Sequence, residues 1–418
     1  MSNNNPPNPL NNQNNPLINQ NNPLISPNLQ NFNEQLITSQ LINQNIQNIQ
    51  NNSNIIPMAQ NQIPIVNNSA PPSFDNMNLF TDSNPQINLN TSADTLGNNQ
   101  EKNIYDYATT STLYSISFQN TDKCRLAIGT LECSLNNRIE ILELVNNELD
   151  KVYVENLEYP STKLMWGPNQ SKNNLLASSS DCIHLFELET SNGTSLKKLT
   201  TLYNKKSPYC GPLTSFDWNK VNDSILGTAS LDTTCTIWDL NKSTIRTQLI
   251  AHDKEVYDIS FTTNDNIFIS SGADGSVRLF DLRSLKHSTI IYETKDGWPI
   301  TKISWNLLNN HLIAALSLEK NLVYIFDTRK ANVSLVELKL HKMPVTGMVW
   351  SPSLPSQICS VSEDKNVIIS NVQNEENNNS NNNVCYTAPN EINNVNWCES
   401  LPEWIGITFK KKVQLLRK

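Results

Sequence analysis

The amino-acid sequence predicts an all-β fold, a seven-bladed β-propeller, which follows a disordered, asparagine-rich N-terminal extension. Three observations predict this organisation. Seven aromatic residues close short strand patterns at a steady interval, the repeat units share one succession of strand patterns, and the first hundred residues lack every basic side chain. The extension is expected over residues 1–100 and the propeller over residues 101–418.

The N-terminal segment differs from the rest of the chain in composition. Residues 1–100 contain 30 Asn, one Gly, no Lys, no Arg and four acids. Isolated apolar pairs such as Leu17-Ile18 cannot bury enough surface to offset an ordering entropy of about 1–2 kcal/mol per residue. We expect disorder, either as a tolerated low-complexity expansion or as a prion-like self-association segment. A second asparagine-rich run within residues 374–383 is expected to be a loop insertion.

Charge and composition exclude several classes of protein. The net charge of −8 and the base-free tail disfavour direct binding of nucleic acid, because phosphate affinity needs Lys and Arg. No apolar run approaches the roughly 18 residues of a membrane helix, and the N-terminus lacks the basic and apolar regions of a secretory signal. The eight Cys form no CxxC pair, which indicates reduced thiols.

The repeats of residues 101–418 have a period typical of propellers. The strand patterns end at marker aromatics 43 to 52 residues apart, namely Phe118, Trp166, Trp218, Phe261, Trp305, Trp350 and Trp397. Each unit is expected to be one blade.

Unit 3 shows the internal order of strands most clearly. A first strand, Leu213–Trp218, ends at the marker, a small-residue strand, Ile225–Ser230, follows, and a third strand ends at Trp238-Asp239. Period-2 alternation and β-branched content predict strands rather than helices. Seven such units over about 318 residues fit seven blades of four strands.

The closure of the ring can also be predicted. The last unit has strands near 392–397, 404–409 and 413–416 and then the chain ends, so this unit lacks a fourth strand. The segment 104–108 precedes the first marker strand and has no other partner. We predict that it supplies the outer strand of the last blade, where an open sheet edge would favour aggregation.

His252, Ser270 and Asp274 offer the chemistry of a serine hydrolase. The same types recur at His341, Ser360 and Asp364, with 22 and 23 residues from His to Asp and four from Ser to Asp in both units. Such recurrence favours a structural device, and hydrolysis through Ser270 and His252 is kept as a remote alternative. The sequence has no Gly-x-Ser-x-Gly elbow, P-loop, dinucleotide fingerprint or metal-ligand spacing. We therefore expect no enzyme activity, cofactor, metal or small-molecule substrate.

Several stretches resemble one family of WD40 repeat proteins over roughly residues 104–418. This family includes the plant transparent-testa-glabra and anthocyanin-regulating proteins and the animal WD-repeat 68 type, which is also classed as a cullin-4 ligase associated factor. The resemblance is carried by Pro160–Trp166, Pro212–Asn219, Asp232–Trp238, Thr247–Asp258, Gly272–Arg278, His287–Tyr292 and Glu391–Trp397.

The resemblance implies a seven-bladed WD40 β-propeller that acts as a non-catalytic scaffold. Family members dock dual-specificity kinases or transcription regulators, and they occur in the nucleus and the cytoplasm. In WD40 blades the His, Ser or Thr, and Asp form a hydrogen-bonded group that often includes a Trp. Unit 3 keeps Thr228, Asp232 and Trp238 but has Tyr209 in place of His, and unit 4 has Phe280 in place of Trp. Phe cannot donate the indole hydrogen bond, so we expect water or a rearranged loop there.

An alternative function follows from a second motif. Substrate receptors of cullin-4 RING ubiquitin ligases carry a WDxR step whose Arg contacts the damaged-DNA-binding adaptor. The steps ending at Arg283 and Arg329 match it with Phe in place of Trp. Either these guanidinium groups form ion pairs with the adaptor, or they are solvated or paired within their own turns.

A partner surface is expected at the entrance to the central channel. Propellers commonly bind through residues between the His position and the first strand, which here selects Tyr209, Asp253, Lys254 and Lys342. Exposed aromatic and basic side chains are suitable anchors for a partner. The alternative is that the segment around Lys254 simply packs its turn.

Overall fold

A computed structural model gives the fold of the propeller region. It describes residues 102–132, 136–191, 193–204, 211–318, 320–330, 334–372 and 384–418. The predicted extension over residues 1–100 and the predicted insertion over residues 374–383 lie outside the described residues, as does Tyr209.

In the described part of the chain, 28 strands form seven antiparallel sheets of four strands each, which confirms the predicted all-β propeller. Blade 1 consists of β2 (Leu113–Phe118), β3 (Arg125–Thr130), β4 (Asn137–Val145) and β5 (Glu148–Leu157). Blade 2 consists of β6 (Lys163–Trp166), β7 (Leu175–Ser179), β8 (Ile183–Glu189) and β9 (Ser195–Leu202). Blade 3 consists of β10 (Leu213–Trp218), β11 (Ile225–Ser230), β12 (Thr234–Asp239) and β13 (Thr244–Ile250).

The next three blades repeat this pattern. Blade 4 consists of β14 (Val256–Phe261), β15 (Ile267–Gly272), β16 (Ser276–Asp281) and β17 (Thr289–Glu293). Blade 5 consists of β18 (Ile300–Trp305), β19 (Leu312–Ser317), β20 (Val323–Asp327) and β21 (Ser334–Leu338). Blade 6 consists of β22 (Val345–Trp350), β23 (Gln357–Ser362), β24 (Asn366–Asn371) and β25 (Val384–Thr387).

Blade 7 joins the two ends of the propeller. It consists of β26 (Asn394–Trp397), β27 (Trp404–Phe409), β28 (Lys412–Arg417) and the early strand β1 (Ile104–Ala108). Strand β1 pairs antiparallel with β28, from Ile104 opposite Leu416 to Ala108 opposite Lys412. The predicted closure of the ring is therefore confirmed.

The core lies between adjacent blades. One cluster joins Ile237 of blade 3 to Ile259 and Phe268 of blade 4, and the seven marker aromatics are all buried. Some marker side chains also form hydrogen bonds with the neighbouring blade. For example, the indole Nε1 of Trp166 donates to the carbonyl of Ser117 at 3.2 Å. Each blade therefore depends on its neighbour for both packing and hydrogen bonds.

Antiparallel alternation divides the loops between two faces. Face A carries the links from one blade to the next, such as 251–255, and the turns between second and third strands, such as 273–275. Face B carries the other turns, such as 262–266 and 282–288. No helix among the described residues has the length and apolar character needed to span a bilayer.

The cysteines Cys124, Cys235, Cys359 and Cys398 are free thiols, as the sequence predicted. Burial raises the pKa of the Cys359 thiol to about 12, so this group is an inert part of the core.

Candidate functional site

The Ser-His-Asp group of blade 4 is assembled in the structure. His252 lies in the link that enters the blade, Ser270 on β15, and Asp274 in the following turn. The Nε2 atom of His252 is 2.7 Å from the Ser270 hydroxyl, and its Nδ1 atom is 2.9 Å from Asp274 Oδ1. Burial raises the pKa of the Asp274 carboxyl, but the hydrogen bonds with His252 and Ser276 outweigh it and hold that pKa well below its usual range.

Blade 6 repeats the arrangement with His341, Ser360 and Asp364. The Nε2 atom of His341 is 2.8 Å from the Ser360 hydroxyl, and its Nδ1 atom is 3.2 Å from each Asp364 oxygen. Burial lowers the pKa of His341, and the neighbouring carboxylate only partly offsets this effect. The Asp364 carboxylate also accepts the backbone N–H groups of Lys342 and Asn366, so it ties two segments of face A together.

Both groups have the connectivity of a hydrolase triad, but neither is accessible to a substrate. Ser270 is 0% exposed and His252 is 1% exposed, and Ser360 and His341 are 1% and 5% exposed. A catalytic serine needs an open position for the reacting carbonyl. The arrangement instead satisfies buried polar groups between strands, which is a structural task.

Blade 4 has Phe280 where the resemblance implies a Trp. Phe280 stacks on Phe268, with ring centroids 5.0 Å apart, and makes no polar contact. The network extends outward through Ser276, whose hydroxyl is 3.1 Å from His252 Nδ1, and through Arg278, which donates to Asp274 at 3.0 Å. Arg278 therefore extends the network at its Asp274 end, while the Ser270 hydroxyl keeps its contact with His252 Nε2.

Blade 3 keeps the indole bond without the histidine. Trp238 Nε1 donates to the Thr228 hydroxyl at 3.1 Å, and that hydroxyl donates to the carbonyl of Thr236. Asp232 accepts the backbone N–H and the hydroxyl of Thr234 within its own turn. In blade 6, Ser370 stands at the position that Trp238 has in blade 3. Its buried hydroxyl has no hydrogen-bond partner among the described residues.

The two candidate adaptor contacts lie together on face B, in the turns after the third strands of blades 4 and 5. Arg283 Nε donates to Asp281 Oδ1 at 2.9 Å, and Arg329 Nε donates to Asp327 Oδ1 at 2.8 Å. The paired guanidinium lowers the pKa of the Asp327 carboxyl to about 2. Both arginine side chains stay more than half exposed, at 61% and 65%. Each is held in place by its own aspartate and still presents its outer donors to solvent.

The described members of the predicted partner surface lie on face A. Lys254 and Lys342 are exposed, while the exposed carboxylate of Asp253 accepts from Arg278 at 2.7 Å. This ion pair connects the surface directly to the buried group of blade 4.

One cluster of Asp, Cys and His side chains on face A was not predicted from the sequence. Ligand-type atoms of Asp181, Cys182 and His184 lie within 4.8 Å of one another in blade 2. His184 Nε2 is 3.4 Å from Asp181 Oδ1 and 3.7 Å from the Cys182 sulfur. The three groups meet because the turn that precedes the strand folds back onto His184.

The polar lining of the central channel was not predicted from the sequence. The first strands of the seven blades surround a cavity of about 610 Å³, which Lys163, Asp258 and Lys302 line. At its face B end the ammonium of Lys220 pairs with the carboxylate of Glu399, which joins blade 3 to blade 7. These residues come from distant units, and the spacing within any one unit carries no signal for them.

Comparison with known proteins gives one family match and several relatives. The WD40 family model, described as WD domain, G-beta repeat, matches residues 243–281. The DDB1- and CUL4-associated factor 7 homolog of Dictyostelium discoideum is 40% identical over 325 residues, which cover 76% of this chain and 99% of that protein.

Two fungal relatives are more distant. An uncharacterized WD repeat-containing protein of Schizosaccharomyces pombe is 36% identical over 269 residues, covering 57% of this chain and 62% of its own length. A WD repeat-containing protein of Saccharomyces cerevisiae is 30% identical over 303 residues, covering 63% of this chain and 57% of its own length.

Proposed function

This chain belongs to the WD40 repeat family, and from that membership we propose that it is a non-catalytic scaffold that holds partner proteins together. The observation that carries the proposal is the enclosure of both Ser-His-Asp groups, which leaves their chemistry unavailable to a substrate. The exposed side chains of both faces offer contacts to proteins instead.

The partners that we propose are dual-specificity kinases and transcription regulators, and the proposed locations are the nucleus and the cytoplasm. These proposals rest on the family resemblance of the sequence, as does the finer kinship with plant transparent-testa-glabra proteins. Among the predicted partner residues, Lys254 and Lys342 are exposed on face A and available for contact.

A specific observation favours a second function, that of a substrate receptor in a cullin-4 RING ubiquitin ligase. Arg283 and Arg329 lie on neighbouring blades and on the same face, and both keep exposed donors. The Dictyostelium relative is named for association with DDB1 and CUL4. Guanidinium groups that are already oriented lose less entropy when they bind carboxylates of a partner.

The test is purification of the tagged full chain from native extract, followed by quantitative mass spectrometry. Recovery of a dual-specificity kinase or a transcription regulator in near-equal amount supports the scaffold. Recovery of the ligase adaptor in near-equal amount supports the receptor, and the double variant R283A/R329A then abolishes it. Arg246→Ala is the matched control, because this arginine is exposed on an outer strand of blade 3. Absence of any stoichiometric partner contradicts the proposal.

A further inference from the structure

The cluster of Asp181, Cys182 and His184 on face A, called the blade 2 cluster below, brings three metal-ligating side chains together. Asp181 and Cys182 lie in the turn between β7 and β8, and His184 is the second residue of β8. Ligand-type atoms of all three side chains lie within 4.8 Å of one another. Among the residues that the structure describes, no other group of His, Cys and carboxylate side chains converges in this way.

The distances within the blade 2 cluster match those of a tetrahedral zinc site. The Nε2 atom of His184 is 3.7 Å from the Cys182 sulfur and 3.4 Å from Asp181 Oδ1. Zinc bonds of about 2.3 Å to sulfur and about 2.1 Å to nitrogen and oxygen, at tetrahedral angles, separate the same atoms by about 3.6 Å and about 3.4 Å. The Asp181 side chain is 45% exposed, so its carboxylate can turn toward the sulfur and complete the triangle of ligands.

Hydrogen bonds outside the cluster orient two of its three side chains. The Nδ1 atom of His184 is 3.4 Å from the Thr201 hydroxyl on β9. When Nδ1–H donates to Thr201, the lone pair of Nε2 points into the cluster. The Ser180 hydroxyl donates to Asp181 Oδ1 at 2.8 Å. Outer hydrogen bonds of this kind orient the imidazole and carboxylate ligands of metal sites.

Blade 4 has an ion pair at the corresponding place. By strand register, Arg278 of blade 4 corresponds to His184 of blade 2, and Ser276 corresponds to Cys182. Arg278 donates to Asp274 at 3.0 Å, and a guanidinium has no lone pair with which to bind a metal. Blade 2 therefore presents an imidazole and a thiol where blade 4 presents only donors.

The turn aspartate of blade 2 is also not engaged in a buried group. In blades 4 and 6, Asp274 and Asp364 bind histidines that enter from the preceding link. The link that enters blade 2, residues 158–162, contains no His. Asp181 instead faces His184 near the surface, where an ion from solvent can reach its carboxylate.

We propose that Asp181, Cys182 and His184 bind Zn²⁺ on face A, with a fourth position open to solvent. Thiolate and imidazole ligands select zinc, whereas magnesium and calcium require oxygen ligands. The Cys182 thiol binds as the thiolate and releases its proton to solvent. The sequence predicted no metal, because these residues converge only through the folding of the turn. The inference does not depend on the proposed scaffold function.

The test is metal titration of the full chain, carried on a tag without histidine and kept reduced by a phosphine. Co²⁺ is the first probe, because it takes tetrahedral zinc positions and its bond to a thiolate gives a charge-transfer band in the near ultraviolet. We expect one equivalent of Co²⁺ to bind and Zn²⁺ to displace it. Cys182→Ser should abolish the band, and His184→Gln should weaken the affinity for Zn²⁺ at least tenfold.

His287→Gln is the matched control, since it removes an exposed histidine of face B, and it should keep the affinity within twofold. Melting curves give a second readout. Zn²⁺ should raise the melting temperature of the wild type, because it binds the folded chain, and should leave that of Cys182→Ser unchanged. Melting without metal checks that each variant is folded. Asp181→Asn, which keeps the shape of its side chain, is used where another variant fails to fold and should also lose affinity.

Three outcomes would overturn the inference. They are a wild-type chain that takes up neither metal in stoichiometric amount, a Cys182→Ser variant with the band and affinity of the wild type, and an equal loss of affinity in His287→Gln.

Discussion

The two faces of the propeller hold aspartates in different ways. On face A, Asp274 and Asp364 are bound to buried histidines whose side chains are 0% and 1% exposed. On face B, Asp281 and Asp327 are bound to arginines that lie largely in solvent. The same carboxylate chemistry therefore supports the fold on one face and presents a cation to partners on the other. The difference teaches that burial of the partner, rather than the ion pair itself, separates a structural role from a binding role.

The largest effect is expected from Asp274→Ala, which removes the acceptor of His252, Ser276 and Arg278 together. We expect a loss of about 3 kcal/mol in the free energy of unfolding, because several buried donors are left without partners. Asp364→Ala should cost about 1 kcal/mol less, since no arginine reaches that carboxylate among the described residues. Urea unfolding of both variants measures the difference, and equal losses would show that Arg278 adds nothing.

A smaller effect is expected from pH. Because burial lowers the pKa of His341 in the folded state, its neutral form is favoured there, and the contribution to stability is complete above the ordinary histidine value. The stability should therefore decline as the pH falls below about 6.5 toward the lowered folded-state pKa. Melting temperatures between pH 7.5 and 5 should show a shallower slope for His341→Gln than for the wild type. An identical slope would contradict the assignment.

The smallest effect on stability is expected on face B. Arg283→Ala should leave the melting temperature unchanged, because its ion pair with Asp281 is open to water and is screened by salt. Arg329→Ala should lower it slightly, because the Asp327 side chain is only 4% exposed and loses its cation. Thermal melts at low and high salt check this. A clear drop in melting temperature would show that these arginines stabilise the fold. The ion pairs of the two faces would then have the same role.

Periodicity predicted most of the fold because each unit repeats the same local pattern. The closure of blade 7 by β1 was predictable from a strand left without a partner, and the structure shows that pairing. The groups around His252 and His341 were found because both recur at the same spacing. The pairing of Arg283 with Asp281, two residues away, was one of the two alternatives that the sequence left open.

The side-chain contacts that the sequence did not predict depend on the geometry of the ring. Lys220 and Glu399 are 179 positions apart, and only the convergence of blades 3 and 7 brings them together. Lys302 and Asn394 meet across the channel for the same reason. The outward extension through Arg278 depends on side-chain direction, which residue spacing does not encode.

The Ser-His-Asp groups of blades 4 and 6 stabilise the fold and do not act in catalysis. The most direct test of this structural role is the urea unfolding free energy of Ser270→Ala, with Ser360→Ala as the equivalent change in blade 6. We predict a loss of about 1–3 kcal/mol in each, because the Nε2 atom of the facing histidine is left buried without a partner. A free energy of unfolding equal to that of the wild type in both variants would contradict it.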